Sequence, residues 1–305
     1  MLLEDLNIVL RVAEFKSITA AAESMNMRTA TASVAIKRVE RELGAELFIR
    51  TTRRLRLSTA GERYIPQCME GLNALNIAKQ NVRTEKDVIS GELRLSVPSD
   101  LGRNIILPWL DEFTEEHQDI KLSIHIADRN IDLYKDSVDI AIRYGSLVDE
   151  NLYGFKICDV RRVLCAAPLY IERYGQPKIP QDITEHNALL YQLHELVDSH
   201  WRFSRNNETF KVKAVSNRKT NDADLVRRWC IAGKGLAKKS CLDMSNDLLA
   251  KKVVRVMKDY EPTSTELWIV CPSRQTITPA VRLLRDFLKK KTNDVINKLT
   301  ENKIL

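Results

Sequence analysis

Apolar residues at the start of the chain recur at the spacing of an α-helix. The first series consists of Leu3, Leu6, Leu10 and Ala13. Residues three and four apart share one helix face, so this series predicts an amphipathic helix of about three turns. A second helix should start near Ser17 and end around Asn26, a residue type common at helix ends. A third is predicted from about Thr29 to Leu43, with Gly44 as its C-terminal stop.

The outward face of the third predicted helix is polar and basic. It carries Arg28, Thr29, Thr31, Ser33, Lys37 and Arg38, opposite an apolar face of Ala32, Ala35, Ile36, Val39 and Leu43. Short hydroxyl side chains near the start of such a helix can reach base edges or phosphates, and basic side chains suit phosphates. A solvated helix face is the alternative explanation of the same residues.

The next segment, LFIRTTRRLRLSTAG from 47 to 61, places strand-forming residues on both sides of a basic tip. Arg50, Arg53, Arg54 and Arg56 follow one another with no acidic residue between them. This pattern predicts a two-stranded wing, whose arginines would contact the DNA backbone or the minor groove. Helices followed by a basic wing form a winged helix-turn-helix, which places one helix in the major groove of DNA.

These segments resemble the DNA-binding domain of the LysR-type transcriptional regulators over about the first 65 residues. The matching residues are Leu6, Val12, Ser17, Ala21-Ala22, Ser33, Ile36, Arg38, Glu40, Leu43-Gly44, Leu47-Phe48, Arg50, Arg53, Leu57 and Ala60-Gly61. The chain departs from the family at Arg28-Thr29, where Ser-Gln is common, and at Val34, where Arg or Lys is usual. Those positions help to read the operator, so no relative's base preference is transferred. The expected DNA-binding residues are Arg28, Thr29, Thr31, Ser33, Lys37, Arg50, Arg53 and Arg54.

A long helix with one apolar stripe is predicted from 62 to about 88. The stripe consists of Ile65, Cys68, Met69, Leu72, Leu75, Ala78 and Val82. A single exposed helix cannot hide such a stripe, so it should pack on a second copy of the chain. The resemblance implies antiparallel pairing of two such linker helices in a homodimer. Packing against the chain's own N-terminal domain is the alternative.

After Gly91 the pattern changes to strands alternating with helices. A first set has strands at 92–97, 121–127 and 138–144, a helix carrying 105–113 and a short helix at 130–136. A second set has strands at 163–167, 188–191, 210–216, 236–237 and 253–257 and a helix at 222–232, before a strand at 267–271 and a helix at 279–291. The first set predicts a mostly parallel sheet flanked by helices.

The predicted fold class is α/β, and the chain should cross twice between two lobes, near Asp159 and near Glu266. This order resembles the periplasmic-binding-protein fold of the LysR-type effector domain. The predicted domains are a winged helix-turn-helix at 1–59, a linker and dimerisation helix at 60–89 and an effector-binding domain at 90–305. Lobe I would comprise about 90–160 and 266–305, and lobe II about 161–265.

A ligand site is expected between the lobes, beyond the carboxyl ends of the strands. The expected effector-binding residues are Ser99, Asp100, Arg129, Arg143, Tyr144, Tyr191, Ser216, Thr220, Asn221 and Lys239. Helix N-termini at Ser99 and at Thr220-Asn221 would offer free N–H groups, which favour a small organic anion. Two alternatives stay open: Arg143 pairs with Asp139 at the sheet edge, and Lys239 lies on a solvated strand end.

Composition narrows the function further. The 305 residues carry a net charge of +7, and no apolar run is long enough for a membrane span. The first predicted helix is amphipathic and carries Glu4 and Asp5, so no signal peptide is expected. Six scattered cysteines and five histidines make a metal site improbable and predict reduced thiols in a cytoplasmic protein. A redox switch, with Cys230 and Cys241 as the nearest pair in the C-terminal half, is a minor alternative. Gly233-Lys234-Gly235 is too short for a phosphate loop, so no cofactor is expected.

The sequence therefore predicts an effector-responsive regulator that binds double-stranded DNA. By resemblance it should be a homodimer or homotetramer on an inverted repeat, with RNA polymerase as a further candidate partner. A constitutive regulator without an effector is the alternative. No nucleophile and base stand together, so no catalytic residue is expected and an enzyme is disfavoured. A transport-type binding protein would not need the first 60 residues.

Overall fold

The computed structural model describes residues 2–50, 55–84, 89–128, 138–147, 152–193 and 196–305. The chain divides into two compact units, Met1–Val82 and Arg83–Leu305. The division lies inside the predicted linker region, whose exact limits stay a prediction.

The first unit begins with three helices whose ends follow from local sequence. They are α1 (Leu3–Phe15), α2 (Ile18–Ser24) and α3 (Thr29–Leu43). Ser17 caps α2, because its Oγ accepts a hydrogen bond from the Ala20 N–H at 3.2 Å. Gly44 ends α3 with φ +66°, a left-handed conformation that glycine adopts without strain. The predicted bounds of these helices are confirmed.

Small and β-branched side chains fill the space between these helices. Val9, Val12, Ala21, Ala32, Ala35, Ile36 and Val39 are all buried there. The alanines allow the helix backbones to approach closely, and the β-branched residues fill the remaining volume. Leu43, expected on the same face, is only half-buried.

Two short strands and a long helix complete the first unit. Strands β1 (Phe48–Arg50) and β2 (Leu55–Leu57) pair antiparallel, which is the predicted wing. The tip with Arg53 and Arg54 lies outside the described residues. Helix α4 follows at Thr59–Thr84.

The apolar stripe of α4 has two kinds of surroundings. Ile65 and Leu72 are buried in the core of the first unit, with Cys68 packed beside them. Leu75, one turn further on, is 53% exposed. The first half of the stripe therefore packs on the chain's own N-terminal domain, as the alternative prediction stated. The second half begins with Leu75, which is exposed to solvent.

The second unit alternates strands and helices. In chain order it contains β3 (Gly91–Val97), α5 (Ser99–Leu101), α6 (Leu107–Glu116), β4 (Ile120–Ile126), β5 (Ile140–Tyr144), β6 (Tyr153–Val160), β7 (Arg162–Ala166), α7 (Pro168–Tyr174), β8 (Leu189–Leu193), β9 (Leu196–Val197), β10 (His200–Arg205), β11 (Glu208–Lys213), β12 (Arg218–Thr220), α8 (Ala223–Ile231), β13 (Ala237–Ser240), α9 (Ser245–Leu249), β14 (Val254–Arg255), β15 (Glu261–Pro262), β16 (Thr265–Cys271) and α10 (Pro279–Glu301). A π-helical turn, Gly102–Ile106, joins α5 to α6. Two 3₁₀ turns lie at Pro180–Glu185 and Arg274–Thr276.

The first lobe is built on a five-stranded sheet in the order β4-β3-β5-β16-β6. Strand β3 runs parallel to β4 and β5, but β16 runs antiparallel to both β5 and β6. Because β5 and β6 are both antiparallel to β16, β6 runs in the same direction as β3, β4 and β5. The prediction of a mostly parallel sheet is therefore confirmed, with β16 as the exception, since the chain re-enters the lobe along this strand. Strand β6 was not predicted. The short helix predicted at 130–136 lies outside the described residues.

The second lobe contains the antiparallel sheet β13-β7-β14 and the sheet β12-β8-β9, joined by a parallel bridge between Ala188 and Leu236. A separate sheet, β11-β10-β15, contributes Trp201 and Phe203 of β10 to the core of this lobe. Strand β10 was not predicted. The chain crosses between the lobes at the end of β6 and at the start of β16, where Asp159 lies opposite Glu266 as expected. One apolar core includes side chains of both lobes, such as Leu95 and Val226.

Candidate functional sites

The outward face of α3 is a surface of polar and basic side chains. Arg28, Thr29, Thr31, Val34 and Lys37 are exposed, and Ser33 is half-buried. Because the opposite face is packed into the core, this surface is held on a rigid helix. The expected DNA-binding residues of α3 therefore lie side by side on one exposed face.

Arg38 differs from its neighbours, because its guanidinium is engaged within the domain. Its Nε and Nη2 donate to the two carboxylate oxygens of Asp5 on α1, at 3.0 and 2.5 Å. Asp5 is only 3% exposed, and its hydrogen bond raises the pKa of Arg38. Arg38 was expected on the outward, phosphate-facing surface of α3; in the structure it joins α3 to α1 through a bidentate ion pair with Asp5.

Glu40 fixes the start of the two-stranded wing relative to α3. Its Oε1 accepts hydrogen bonds from the backbone N–H groups of Leu47 at 2.8 Å and Phe48 at 3.3 Å. Arg50 is the last residue of β1 and pairs with Leu55, the first residue of β2. The geometry thus explains the family-matching residue Glu40 as a positioning group and not as a DNA contact.

A cleft of about 590 Å³ lies at the carboxyl ends of β4, β8 and β12. It is lined by Ala127, Asp128, Gln192, Leu193, Lys219, Thr220 and Asn221. Thr220 and Asn221 were expected there. Asp128, Gln192 and Lys219 were not among the expected ligands, although all three lie at or just after strand ends, the signal that could have identified them.

Asp128 occupies the helix N-termini that were expected to hold an anion. Its Oδ1 accepts a hydrogen bond from the Ser99 N–H at 2.7 Å, and its Oδ2 accepts from the Ser99 Oγ at 2.5 Å and from the Ala223 N–H at 2.7 Å. Asp222 accepts from the next two N–H groups of α8, those of Asp224 and Leu225. The expectation of free N–H groups at these helix starts was therefore wrong, since the protein's own carboxylates already accept from them.

Lys239 and Asp100 form a buried ion pair and do not line the cleft. The Lys239 Nζ lies 2.5 Å from Asp100 Oδ2 and 3.4 Å from Asp243 Oδ2, and it donates to the Ala223 carbonyl. Burial raises the pKa of Asp100 to about 7 even beside this ammonium. The two carboxylates outweigh the burial of Lys239 and raise its pKa. Both residues were predicted as effector ligands; their charges are instead matched within the protein.

Tyr144 belongs to the same polar cluster. Its hydroxyl donates to Asp243 Oδ1 at 2.6 Å and lies 2.8 Å from Ser240 Oγ. Burial and the neighbouring carboxylate raise the pKa of Tyr144 well above its ordinary value. This hydroxyl joins lobe I to lobe II and is not directed into the cleft lining.

The remaining expected ligands are dispersed. Ser216 Oγ donates to the Arg218 carbonyl and so closes its own turn. Tyr191 is half-buried, and burial raises its pKa. Arg143 is half-buried on β5, and burial lowers its pKa. The carboxylate of Asp139 accepts hydrogen bonds from the Arg94 guanidinium at 2.7 and 3.2 Å. Arg129 lies outside the described residues.

The cysteines that lie together are not the pair named for the minor redox alternative. The Cys230 Sγ lies 3.9 Å from that of Cys165 on β7, whereas that alternative named Cys241. Both thiols are fully buried, and the hydrogen bond and burial raise the pKa of Cys230 well above its ordinary value. Thiolates are the reactive form, so the Cys230 thiol is unreactive as it stands.

Two features are absent from the described part of the chain. Within it, no cluster of three or more His, Cys, Asp or Glu side chains is placed to hold a metal ion. In the same residues, no helix has the length and apolar character required to span a membrane.

Two family profiles match the chain. Residues 3–62 match the bacterial regulatory helix-turn-helix protein, lysR family, and residues 86–293 match the LysR substrate binding domain. The second match alone covers more than half of the chain. The chain therefore belongs to the LysR family of DNA-binding transcriptional regulators, and it is a regulator and not an enzyme.

Individual relatives support the same architecture. The chain is 30% identical over 300 residues to an HTH-type transcriptional regulator of Xanthomonas campestris, covering 95% of this chain and 86% of that protein. It is 28% identical over 297 residues to the probable HTH-type transcriptional regulator LtrA of Klebsiella pneumoniae, covering 95% and 94%. The full-length structure of the Vibrio cholerae virulence activator AphB is 26% identical, with a TM-score of 0.59 over 94% of this chain and 98% of that chain. The predicted fold class is confirmed.

Proposed function

We propose that this regulator responds to a small anionic effector, bound in the cleft between the two lobes of its second unit. The observation that carries the proposal is the 590 Å³ cleft itself, which is lined by Ala127 and Asp128 of lobe I and by residues of lobe II. A ligand that contacts both lobes can bind one lobe arrangement better than another. That difference in affinity is what a regulatory effector requires.

The lining favours a polar ligand of modest size. Lys219 supplies a cation, and Gln192, Thr220 and Asn221 supply amide and hydroxyl groups that can donate hydrogen bonds. A carboxylate or a similar anion satisfies this set best, because an ammonium and neutral donors together match its charge and its acceptors.

Thermal melting and titration calorimetry against a panel of small carboxylates test this assignment. Lys219→Ala should weaken binding, whereas Lys211→Ala, at an exposed lysine on β11 outside the cleft lining, should leave it unchanged. Equal affinity in both variants would remove the site from consideration. A panel without any binder would favour the alternative, a constitutive regulator without an effector.

For DNA, the proposal is that α3 enters the major groove and the wing lies against the backbone, in a homodimer or homotetramer on an inverted repeat. The exposed positions of Arg28, Thr31 and Lys37 on one rigid face support it. RNA polymerase stays a proposed partner. The proposed location is the cytoplasm, where the DNA of a bacterial regulator lies.

Footprinting on the DNA upstream of the protein's own gene, with a salt titration, tests the DNA proposal. Lys37→Ala should weaken binding about equally on all sequences and reduce the salt slope by about 1. Thr31→Ala should instead change the base preference, because a hydroxyl near the helix start is placed to reach base edges. A Lys37→Ala protein with unchanged affinity and salt slope would remove the phosphate-contact assignment of this residue.

A further inference from the structure

The carboxylate of Asp128 stands where the proposed effector's own anionic group would have to bind. It follows β4 in lobe I and accepts from the Ser99 N–H and Oγ of the same lobe. It also accepts a hydrogen bond from the N–H group of Ala223, and Ala223 is the first residue of α8 in lobe II. One side chain therefore joins the starts of two helices, one in each lobe, and also lines the cleft.

Helix starts carry unsatisfied N–H groups and partial positive charge, so they are the natural partners of an anion. Here a resident carboxylate is bound through three donors at 2.5 to 2.7 Å. An incoming carboxylate cannot use those donors while Asp128 holds them. It could take them over without leaving them unsatisfied, because it offers the same acceptor geometry.

We propose that Asp128 is an internal latch, which closes the lobes across the cleft in the effector-free protein and is displaced by the anionic effector. This inference rests on the proposed function of the cleft. Displacement frees the Ala223 N–H of lobe II from Asp128 of lobe I, so the lobe arrangement changes at the cleft. The latch also lowers the apparent effector affinity by the fraction of molecules in which it is closed.

Other contacts keep the lobes together when the latch opens. Asn104 of lobe I donates to Asp224 of lobe II at 2.8 Å and accepts from Arg227 at 3.0 Å. Arg227 is anchored in turn by Asp247, at 2.7 Å. None of these bonds uses Asp128, so displacement of the latch changes the cleft without separating the lobes.

The first test uses the full-length protein and needs no ligand. Hydrogen exchange is compared at the Ser99 and Ala223 amides in the wild type, in Asp128→Ala and in Asp128→Asn. Exchange at both amides should become faster in Asp128→Ala, while Asp128→Asn, whose amide oxygen can still accept, should lie between. Asp111→Asn, at an exposed carboxylate on α6, is the matched control and should change nothing. Unchanged exchange at both amides in Asp128→Ala would overturn the latch.

The second test is calorimetry of the same proteins with acetate, succinate and benzoate as probes. At least one of them should bind Asp128→Ala about fivefold or more tightly than it binds the wild type, because the competing carboxylate is gone. Equal affinity would overturn displacement of the latch. Faster exchange without binding of any probe to either protein would instead refute the carboxylate effector, so the two failures are distinguishable.

Discussion

At the scale of single residues, charged side chains that fit a binding pattern can have structural roles. Lys239 follows a predicted strand and Arg38 lies on the predicted recognition helix, so both matched a ligand-binding pattern. Each is instead paired with a carboxylate from a distant part of the chain, Asp100 and Asp5 respectively. Periodicity reports which face a residue occupies but not which remote side chain reaches it, so the sequence could not separate the two roles.

The structural role of Lys239 predicts a loss of stability that requires no effector. Lys239→Met leaves the buried carboxylates of Asp100 and Asp243 without their ammonium, a change that typically costs about 3–5 kcal/mol. The loss should be larger at pH 8 than at pH 6. With Lys239 in place the pKa of Asp100 is raised to about 7, so in the wild type Asp100 is ionised and attracted to Lys239 at pH 8 but is largely protonated at pH 6. Less attraction is therefore lost at the lower pH. Urea unfolding at the two pH values measures this.

The matched control for that prediction is Lys219→Met, at an exposed lysine of the cleft. It should leave the unfolding free energy nearly unchanged at both pH values, because surface substitutions usually have small effects. If Lys239→Met unfolded like the wild type, the residue would be free to act as a ligand, as the sequence suggested.

At the scale of elements, the sequence predicted those whose signals are local. The bounds of α3 follow from an apolar period and the stop at Gly44, and β3 follows from a run of strand-forming residues before Pro98. Strand β6 was missed because it lies at a sheet edge with a mostly half-exposed pattern, and its partner β16 is far along the chain. In the cleft, Asp128 lies just after a strand, where a ligand site was expected, but its hydrogen bonds to Ser99 and Ala223 were not predicted, because these partners meet it only in the folded lobes.

Two glycines of helix α4 give opposite predictions for the same substitution. A Cβ at Gly61 would lie 2.2 Å from the backbone oxygen of Leu47, so Gly61→Ala should destabilise the first unit by about 1–3 kcal/mol. A Cβ at Gly71 meets nothing within 4 Å, so Gly71→Ala should stabilise the helix by about 0.5–1 kcal/mol. Thermal unfolding followed by circular dichroism compares them. Equal effects would show that the contact with Leu47 is not what requires glycine.

The exposed half of α4 predicts an effect on assembly. Leu75 is 53% exposed on a helix whose earlier apolar residues are buried, so a charge there should weaken pairing of two chains if α4 is the dimer helix. Leu75→Lys should therefore lower the sedimentation mass at micromolar concentration. Gln67→Lys adds the same charge at an exposed polar position of the same helix and should leave the mass unchanged. An intact oligomer in Leu75→Lys would place the interface elsewhere.

At the scale of the whole molecule, each unit has its own buried core. One core gathers Val9, Val12 and Ile36 with Ile65 and Leu72 of α4. The second unit has separate cores formed by side chains of its two lobes, and their members include Leu95, Phe113 and Leu164. A segment with a core of its own can unfold as a separate cooperative step, so a single unfolding free energy need not describe the chain.

The distribution of tryptophan makes this separation measurable. All four, Trp109, Trp201, Trp229 and Trp268, lie in the second unit. Tryptophan emission should therefore follow only that unit in urea, whereas circular dichroism follows the helices of both. Gly61→Ala should move the dichroism curve and leave the emission curve in place, and Lys239→Met should move the emission curve. If Gly61→Ala moved both curves together, the two units would unfold as one, and the regulator would couple its effector and DNA domains through stability itself.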